Sequence, residues 1–231
     1  MSPASVSVVV VVKDGEPYLA EALHSIANQT RAPQDVIVVD GGSRDRSVEI
    51  ARSFSFTRVL SQRGTGIADA YNTGIAEAAG ELTAFLSSDD RWTPDKLERQ
   101  LDHMHAYPDL QLTVCKAHFM LERGRAIPSG FRPELLDGDH EAWIMETLMA
   151  RRWVWEHVGG FDTTLPLAED VDWFSRARHL QVPMAVVPHV LLHKRIHGGN
   201  ASLDAATNNR ALLRVVRQSI RRRRGASAMD A

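Results

Sequence analysis

Apolar residues in the first part of the chain fall into short unbroken runs, separated by stretches in which they recur every third or fourth position. Val6 to Val12 is almost all valine, and Val36-Ile-Val-Val39 repeats that character. A β-branched run without polar alternation marks a strand buried on both faces, as in a parallel sheet. A third strand is expected near Thr57 to Leu60 and a fourth from Leu82 to Leu86. Between them the spacing turns helical. Tyr18, Leu19, Ala22, Leu23 and Ile26 share one face after Pro17, and Val48, Ala51 and Phe54 share another after a Ser43 cap. Ile67, Ala70, Tyr71, Gly74, Ile75 and Ala78 share a third. This repeated strand–helix alternation predicts an α/β fold, an open parallel sheet with helices on both faces.

Beyond the fourth strand the pattern is less regular. Thr93 is read as an N-cap with Pro94 at the first helical position, leading a helix that carries Leu97, Leu101 and Met104. Leu110–Cys115 and His118–Leu121 are expected as short strands, with Glu122-Arg-Gly-Arg125 as a turn. Pro128 to His140 has no period and is read as a surface loop. Helices are expected at Glu141–Ala150, at Arg151–His157, ended by Gly159-Gly160, and at Glu169–Leu180. Late strands follow at Met184–Val187 and Val190–Lys194. Asp204 to Arg224 places Leu212, Val216 and Ile220 on one face, with Leu213 alongside, as a basic amphipathic helix. The expected organisation is one domain over residues 1–203 and a basic tail over 204–231.

With 231 residues, 44% hydrophobic and 24% charged, the chain can bury one substantial core. Its single cysteine, Cys115, cannot form an intramolecular disulfide. The Val6–Val12 run is too short to span a membrane and lacks a signal peptide's basic start, so a cytoplasmic protein is expected. Charge changes the picture more. Residues 210–231 hold seven arginines against one acid, Asp230. Of the 27 basic and 29 acidic residues, 20 and 28 therefore lie in residues 1–209, a balance of −8. An acidic body argues against general nucleic-acid binding, which needs a basic face. The tail reads as a helix docked on the body with a solvated basic end, or as an interfacial helix. In the second case residues 210–224 hold the protein at the inner face of an anionic membrane.

The strand ends carry the candidate chemistry, because in a parallel sheet their carboxyl ends share the edge where ligands bind. The fourth strand runs into Ser87-Ser88-Asp89-Asp90. Oxygen ligands on such a loop suit a hard divalent cation shared with phosphate; a solvated acidic turn is the structural alternative. Asp40, before Gly41-Gly42, is placed either to hydrogen-bond a ribose or base or simply to form the turn. Gly64-Thr-Gly66 does not open the first βαβ unit, and Asp69 stands in place of a third glycine, which argues against a dinucleotide loop. Glu169-Asp170-Val-Asp172-Trp173 opens a helix, where acids complement the dipole. Three acids in four residues exceed what capping needs. Asp170 shares a helix face with Trp173, and an aromatic neighbour would limit hydration and raise the basicity of a general base. His193 and His197 flank Lys194-Arg195-Ile196, and the flexible turn His197-Gly-Gly-Asn200 can carry an imidazole to a metal. There is no zinc-type Cys/His spacing and no Gly-x-Ser-x-Gly elbow.

Seven segments taken in order carry a resemblance. They are Val6–Val12, Val38-Val-Asp-Gly-Gly-Ser-Arg-Asp45, Gly66-Ile-Ala-Asp-Ala-Tyr-Asn-Thr-Gly-Ile75, Phe85-Leu-Ser-Ser-Asp-Asp90, Val158-Gly-Gly-Phe-Asp162, Glu169-Asp-Val-Asp-Trp173 and Arg195-Ile-His-Gly-Gly-Asn200. Over about residues 5–203 the chain resembles the family 2 glycosyltransferases of the GT-A fold. The resemblance implies a Rossmann-like, mostly parallel sheet with a short antiparallel addition. It also implies inverting transfer of a sugar from a nucleoside-diphosphate sugar, a UDP-sugar favoured, with Mn²⁺ or Mg²⁺ as cofactor. The acceptor would be a hydroxyl of a bacterial-type glycan, lipid-linked or another glycoconjugate. By that likeness Val12, Asp14, Asp40, Asp69 and Ser88 contact the donor nucleotide. Asp89, supported by Asp90, and His197 hold the metal, and Asp170 is the catalytic base with Glu169 beside it. Two departures stand out: Ser87 replaces the first acid of the family's Asp-x-Asp, and Lys13-Asp14 replaces a Thr-Tyr-Asn-like end of the first strand. The alternatives are a sugar nucleotidyltransferase and a non-catalytic sugar-nucleotide binder. The first needs a glycine-rich basic loop that Lys13-Asp-Gly-Glu-Pro17 does not provide; the two carboxylate clusters and His197 argue against the second.

Overall fold

The computed structural model describes the backbone of residues 4–229 and the side-chain surroundings of residues 4–222. Its first half is a strand–helix alternation: β1 (Val6–Val12), α1 (Leu19–Ala27), β2 (Asp35–Asp40), α2 (Ser47–Ser53), β3 (Thr57–Ser61), α3 (Ile67–Glu77) and β4 (Leu82–Ser87). The four strands are parallel in the order β3-β2-β1-β4. All seven residues of β1 are buried. Because successive side chains point to opposite faces, its valines divide between two cores. Val8 and Val10 join Leu19, Leu23 and Ile26 of α1 on one face, while Val9 and Val11 join Tyr71 of α3 on the other. Each fully buried Val or Leu contributes roughly 1.5–3 kcal/mol, so covering both faces is what makes this central strand stable.

The second half contains β5 (Arg91–Trp92), α4 (Lys96–Ala106), β6 (Leu112–Leu121), β7 (Asp139–Glu141), β8 (Met149–Arg151), α5 (Arg152–Val158), α6 (Glu169–His179), β9 (Met184–Ile196) and α7 (Ala205–Met229). Its strands extend the same sheet, in the order β3-β2-β1-β4-β8-β6-β9-β5 with β7 paired to β6. The β4–β8, β8–β6 and β5–β9 pairs are antiparallel, and β6–β9 is parallel.

Several elements differ from expectation. Glu141–Ala150 is no helix: it contains the end of β7, a 3₁₀ turn at Met145–Thr147 and the start of β8. Met149 and Ala150 are wedged between β4 and β6, fully buried, and so short an apolar run has no period to separate strand from helix. The paired short strands are in fact single strands, β6 and β9. Their ladder shifts register at Cys115–Ala117, opposite the stretch holding Pro188, which has no N–H to donate. Helix α4 starts at Lys96, because Thr93-Pro94-Asp95 forms a turn in which the Thr93 hydroxyl donates to Asp95 (2.8 Å) instead of capping. Helix α2 starts at Ser47, whose N–H is taken by Asp45 (2.9 Å), while Ser43 Oγ accepts from the Asp14 N–H (2.9 Å). Within Pro128–His140, Pro133–Leu136 is a 3₁₀ turn and the segment ends in β7.

Helix α7 docks through the buried Ala211 and Val215, with Leu212 half-buried, and not through Val216 and Ile220, which are exposed with Leu213. Arg223 and Arg224 lie outside the described side chains. Among the described residues no helix is long and apolar enough to cross a membrane.

Candidate active site

The carboxyl edge of the parallel strands gathers the loops that follow them. Val12 and Asp40 are register partners, so β1 and β2 end side by side. Asp40 is buried, and its carboxylate accepts the N–H groups of Gly42 (3.1 Å) and Ser43 (3.2 Å), so it does form the turn. Asp14, at φ +51°, accepts the Arg44 N–H (2.7 Å) and ties the first loop to the second. Gly15 is required by close approach. A Cβ there would lie 2.7 Å from Val12 Cγ2 and 2.8 Å from Ser88 Oγ. Asp69 closes the next loop by accepting the Gly64 N–H (2.7 Å), and Gln62 joins that loop to Asp40, its N–H donating to the Asp40 carbonyl (3.0 Å). Val12, Asp14, Asp40, Asp69 and Ser88 thus lie along connected loops of one edge.

The loop after β4 meets the end of β9. Asp89 Oδ2 is 3.1 Å from His197 Nε2 and accepts from Asn200 Nδ2 (3.1 Å). Arg195 donates to the Asp89 carbonyl (3.0 Å) and lies over the Tyr18 ring, which also packs near the His197 imidazole (4.9 Å between centroids). Asp90 is fully committed. One oxygen accepts from Lys194 Nζ (2.8 Å) and the other from the Arg195 N–H (2.8 Å). Lys194 also reaches Glu146 (3.3 Å), whose carboxylate takes the Ser87 hydroxyl (2.5 Å). Glu146 was not anticipated. Its signal in the sequence is only a lone acid between Ile144 and Leu148, yet it brings a carboxylate to the position where Ser87 supplies none.

Charge balance follows from burial. Partial burial would raise the Asp89 pKa, but the His197 hydrogen bond and the Lys194 charge prevail and hold it below the usual carboxylate value. Burial pushes Asp90 up to about 7, against the pull of Lys194. The Lys194 ammonium is held well above the ordinary lysine value by Asp90, Glu146 and Asp89, despite its own burial. Two hydrogen bonds donated to Asp90, one from a cation, favour the ionised pair at neutral pH.

Among the described residues no three His, Cys, Asp or Glu groups stand close enough to hold a metal alone. Asp89 and His197 nevertheless form a carboxylate–imidazole pair at the loop edge. This donor set fits a hard cation that takes its other ligands from a diphosphate and water.

The second carboxylate pair opens α6, after Ala168 in the left-handed conformation (φ +62°). Burial raises Asp170 to about 6, with Glu146 adding to the shift and Lys194 opposing it. Burial, and then the Asp170 charge, raise Glu169 to about 8. The third acid serves the framework. Asp172 is buried and takes hydrogen bonds from Arg176 (2.8 Å) and Arg222 (2.7 Å). Trp173 is fully buried against Trp155 (4.7 Å) and donates to the Gly159 carbonyl (3.0 Å). Asn72 clamps the same turn, donating to the Phe161 carbonyl (2.9 Å) and accepting its N–H (2.8 Å). A Cβ at Gly160 would sit 2.6 Å from Asn72 Oδ1, which explains that glycine. The start of α6 is therefore held from below by an aromatic cluster and a hydrogen-bonded turn. A cleft of about 410 Å³ opens beside His197, lined also by Tyr18, Glu122, Arg125 and Pro128.

Residues 7–163 match the model of glycosyl transferase family 2. An uncharacterised glycosyltransferase of Rickettsia typhi is 29% identical over 90% of this chain and 67% of its own length. The putative glycosyltransferase EpsH of Bacillus subtilis is 28% identical over 85% of this chain and 62% of its own. The chain thus spans about two thirds or less of the length of these relatives. In fold it is similar to S. aureus TarS 1-349 in complex with UDP-GlcNAc, with a TM-score of 0.70 at 20% identity, over 87% of this chain and 61% of that one. The UDP complex of the same protein gives a TM-score of 0.67 over 83% of this chain and 60% of that one. The family match over residues 7–163 and the shared architecture together show that the chain belongs to glycosyl transferase family 2 and has the GT-A fold.

Proposed function

We propose that the protein transfers a sugar from a nucleoside-diphosphate sugar to an acceptor hydroxyl, with inversion at the anomeric carbon. The observation that carries this reading is the placement of two carboxylate groups around Glu146. Asp89 pairs with His197, its neighbour Asp90 shares Lys194 with Glu146, and the Glu146 charge acts on Asp90 as well as on Asp170 and Glu169. The nucleotide would lie along the loops of Val12, Asp14, Asp40, Asp69 and Ser88. UDP and UDP-GlcNAc held by TarS support a UDP-linked donor. Asp89 and His197 would hold Mn²⁺ or Mg²⁺ jointly with the diphosphate, which would neutralise charge on the leaving group. Asp90, bound to Lys194 and the Arg195 amide, orients the loop that presents Asp89.

Asp170 removes the proton from the acceptor hydroxyl as its oxygen attacks the anomeric carbon in a single displacement. A carboxyl near pKa 6 is ionised at neutral pH and still basic enough for this. Glu169, near 8, stays protonated and can donate a hydrogen bond to the sugar or acceptor. Positioning of both substrates supplies much of the remaining acceleration. A lipid-linked or other glycoconjugate acceptor suits the open cleft beside His197. In the decisive experiment, UDP with Mn²⁺ raises the melting temperature and Asp89→Ala removes the Mn²⁺-dependent part. Asp170→Asn keeps the shift but lowers turnover by about 10²–10⁴-fold. Parent-level turnover by Asp170→Asn would rule out this assignment of the base.

A further inference from the structure

Helix α7 has two faces of different character. One packs on the body: Ala211 and Val215 are 3% and 2% exposed, Arg214 donates to Thr164 (2.7 Å), and Arg222 reaches the buried Asp172 (2.7 Å). The opposite face holds Leu213, Val216 and Ile220, which are 58%, 54% and 46% exposed. At 3.6 residues per turn these three fall within about 60° of one another, directly opposite the docked pair. Arg210, Arg217 and Arg221 are exposed and run along one side of the stripe. No acid occurs between Asp204 and Asp230.

We propose that α7 is an interfacial helix, seating the Leu213–Val216–Ile220 stripe in the surface of an anionic lipid bilayer. Arg210, Arg217 and Arg221 would stand at the level of the lipid phosphates. A convex stripe on a helix of 25 residues presents no groove for a partner's side chains. A lipid surface accepts such a stripe along its length, and arginine stems can lie over the acyl boundary while their heads stay at the phosphates. Charge complementarity selects anionic lipid, since every charged residue between Asp204 and Asp230 is an arginine while the rest of the chain is acidic. Arg222 touches Asp172, two residues from Asp170, so the same helix would set the α6 carboxylates beside the membrane. The inference does not depend on the donor, the metal or the transfer reaction.

The test is flotation of the full chain with phosphatidylcholine vesicles, with and without phosphatidylglycerol, over a salt series. The parent protein is expected to float with the anionic vesicles at low salt and only weakly with the neutral ones. Leu213→Gln/Val216→Gln/Ile220→Gln should abolish flotation at every salt concentration. Arg217→Gln/Arg221→Gln should weaken partitioning on anionic vesicles by about 25-fold at low salt, at about fivefold per arginine. Both variants change exposed side chains, so melting and circular dichroism should match the parent; if the apolar variant fails to fold, the arginine pair still decides. Absence of parent flotation on anionic vesicles at low salt, or unchanged flotation of both variants, overturns the proposal. So does a parent dimer that the apolar variant converts to monomer without any vesicle binding, which would make the stripe a contact between copies.

Discussion

Glu146 links polar groups that arrive from distant parts of the chain: Ser87 at the end of β4, Lys194 on β9 and, through space, Asp170 on α6. Its negative charge helps keep the Asp170 carboxyl high, so the two should be coupled in a pH profile. Activity of the parent is expected to rise with pH through about 6, as Asp170 ionises. In Glu146→Gln the rising limb should move to lower pH, because the neighbouring charge is gone while the Ser87 bond still has an acceptor. A limb that stays at the parent position, measured as kcat/KM against pH, would disprove the coupling. Glu169 makes the complementary prediction for stability. Its carboxyl, ordinarily near 4.5, is raised to about 8 in the fold. Across that interval the folded state binds more protons than the unfolded one, so its contribution is full below about 4.5 and is lost as pH rises through about 8. Glu169→Gln should therefore flatten the fall of melting temperature between those limits; an unaltered slope in thermal scans would contradict it. Asp40, Asp89, Asp170 and His197 are legible in the sequence, because each sits at a strand or helix end next to glycine, proline or another acid. Glu146 and Lys194 are not, since Glu146 is a lone acid between apolar neighbours and Lys194 is one of several adjacent basic residues, and the role of each depends on a tertiary pairing.

At the scale of elements, α6 and α7 act as a unit. Asp172 is 1% exposed, and its charge is balanced by Arg176 on its own helix and Arg222 from α7. Removing one partner of a buried charge is costly, because the other is left desolvated. Arg222→Ala should destabilise the fold by about 1–3 kcal/mol, less than loss of an isolated pair because Arg176 remains. Hydrogen exchange should then quicken in the first turns of α6 as well as in α7. Faster exchange confined to α7 would show that the tail helix does not brace the acid-bearing one. The elements themselves were unequally legible. Strands β1 and β2 announce themselves as unbroken β-branched runs because both faces are covered, and α1 and α3 by one apolar stripe each. Strand β8 is three residues long, and its identity is set by the neighbours β4 and β6 that it bridges. On α7 the apolar stripe is real, but it faces outward, because the buried salt bridge and two small docked residues, Ala211 and Val215, orient the helix.

For the molecule as a whole, the loops proposed to hold the nucleotide belong to the first half of the chain, whereas His197 and Asn200 return from β9 to reach Asp89. A ligand spanning both would hold the two halves of the sheet together, and its binding energy should appear directly as global stability. At 100 times its Kd a ligand stabilises by about 2.7 kcal/mol, which in a chain of this size is roughly 5–11 °C. A panel of uridine, thymidine, guanosine and adenosine diphosphates, each with and without Mn²⁺, should give a shift of that order for one base only. Most of that shift should require the metal, because among the described residues the Asp89–His197 pair offers two donors and the diphosphate would bring others. His197→Ala should reduce the Mn²⁺-dependent part and largely spare the metal-free shift of the preferred nucleotide, since the imidazole meets Asp89 and the Tyr18 ring, not Asp14, Asp40 or Asp69. Equal shifts for all four nucleotides would mean that the loops of Asp14 and Asp40 read only phosphate. An unchanged metal response in His197→Ala would mean that Asp89 anchors the cation without the return of β9.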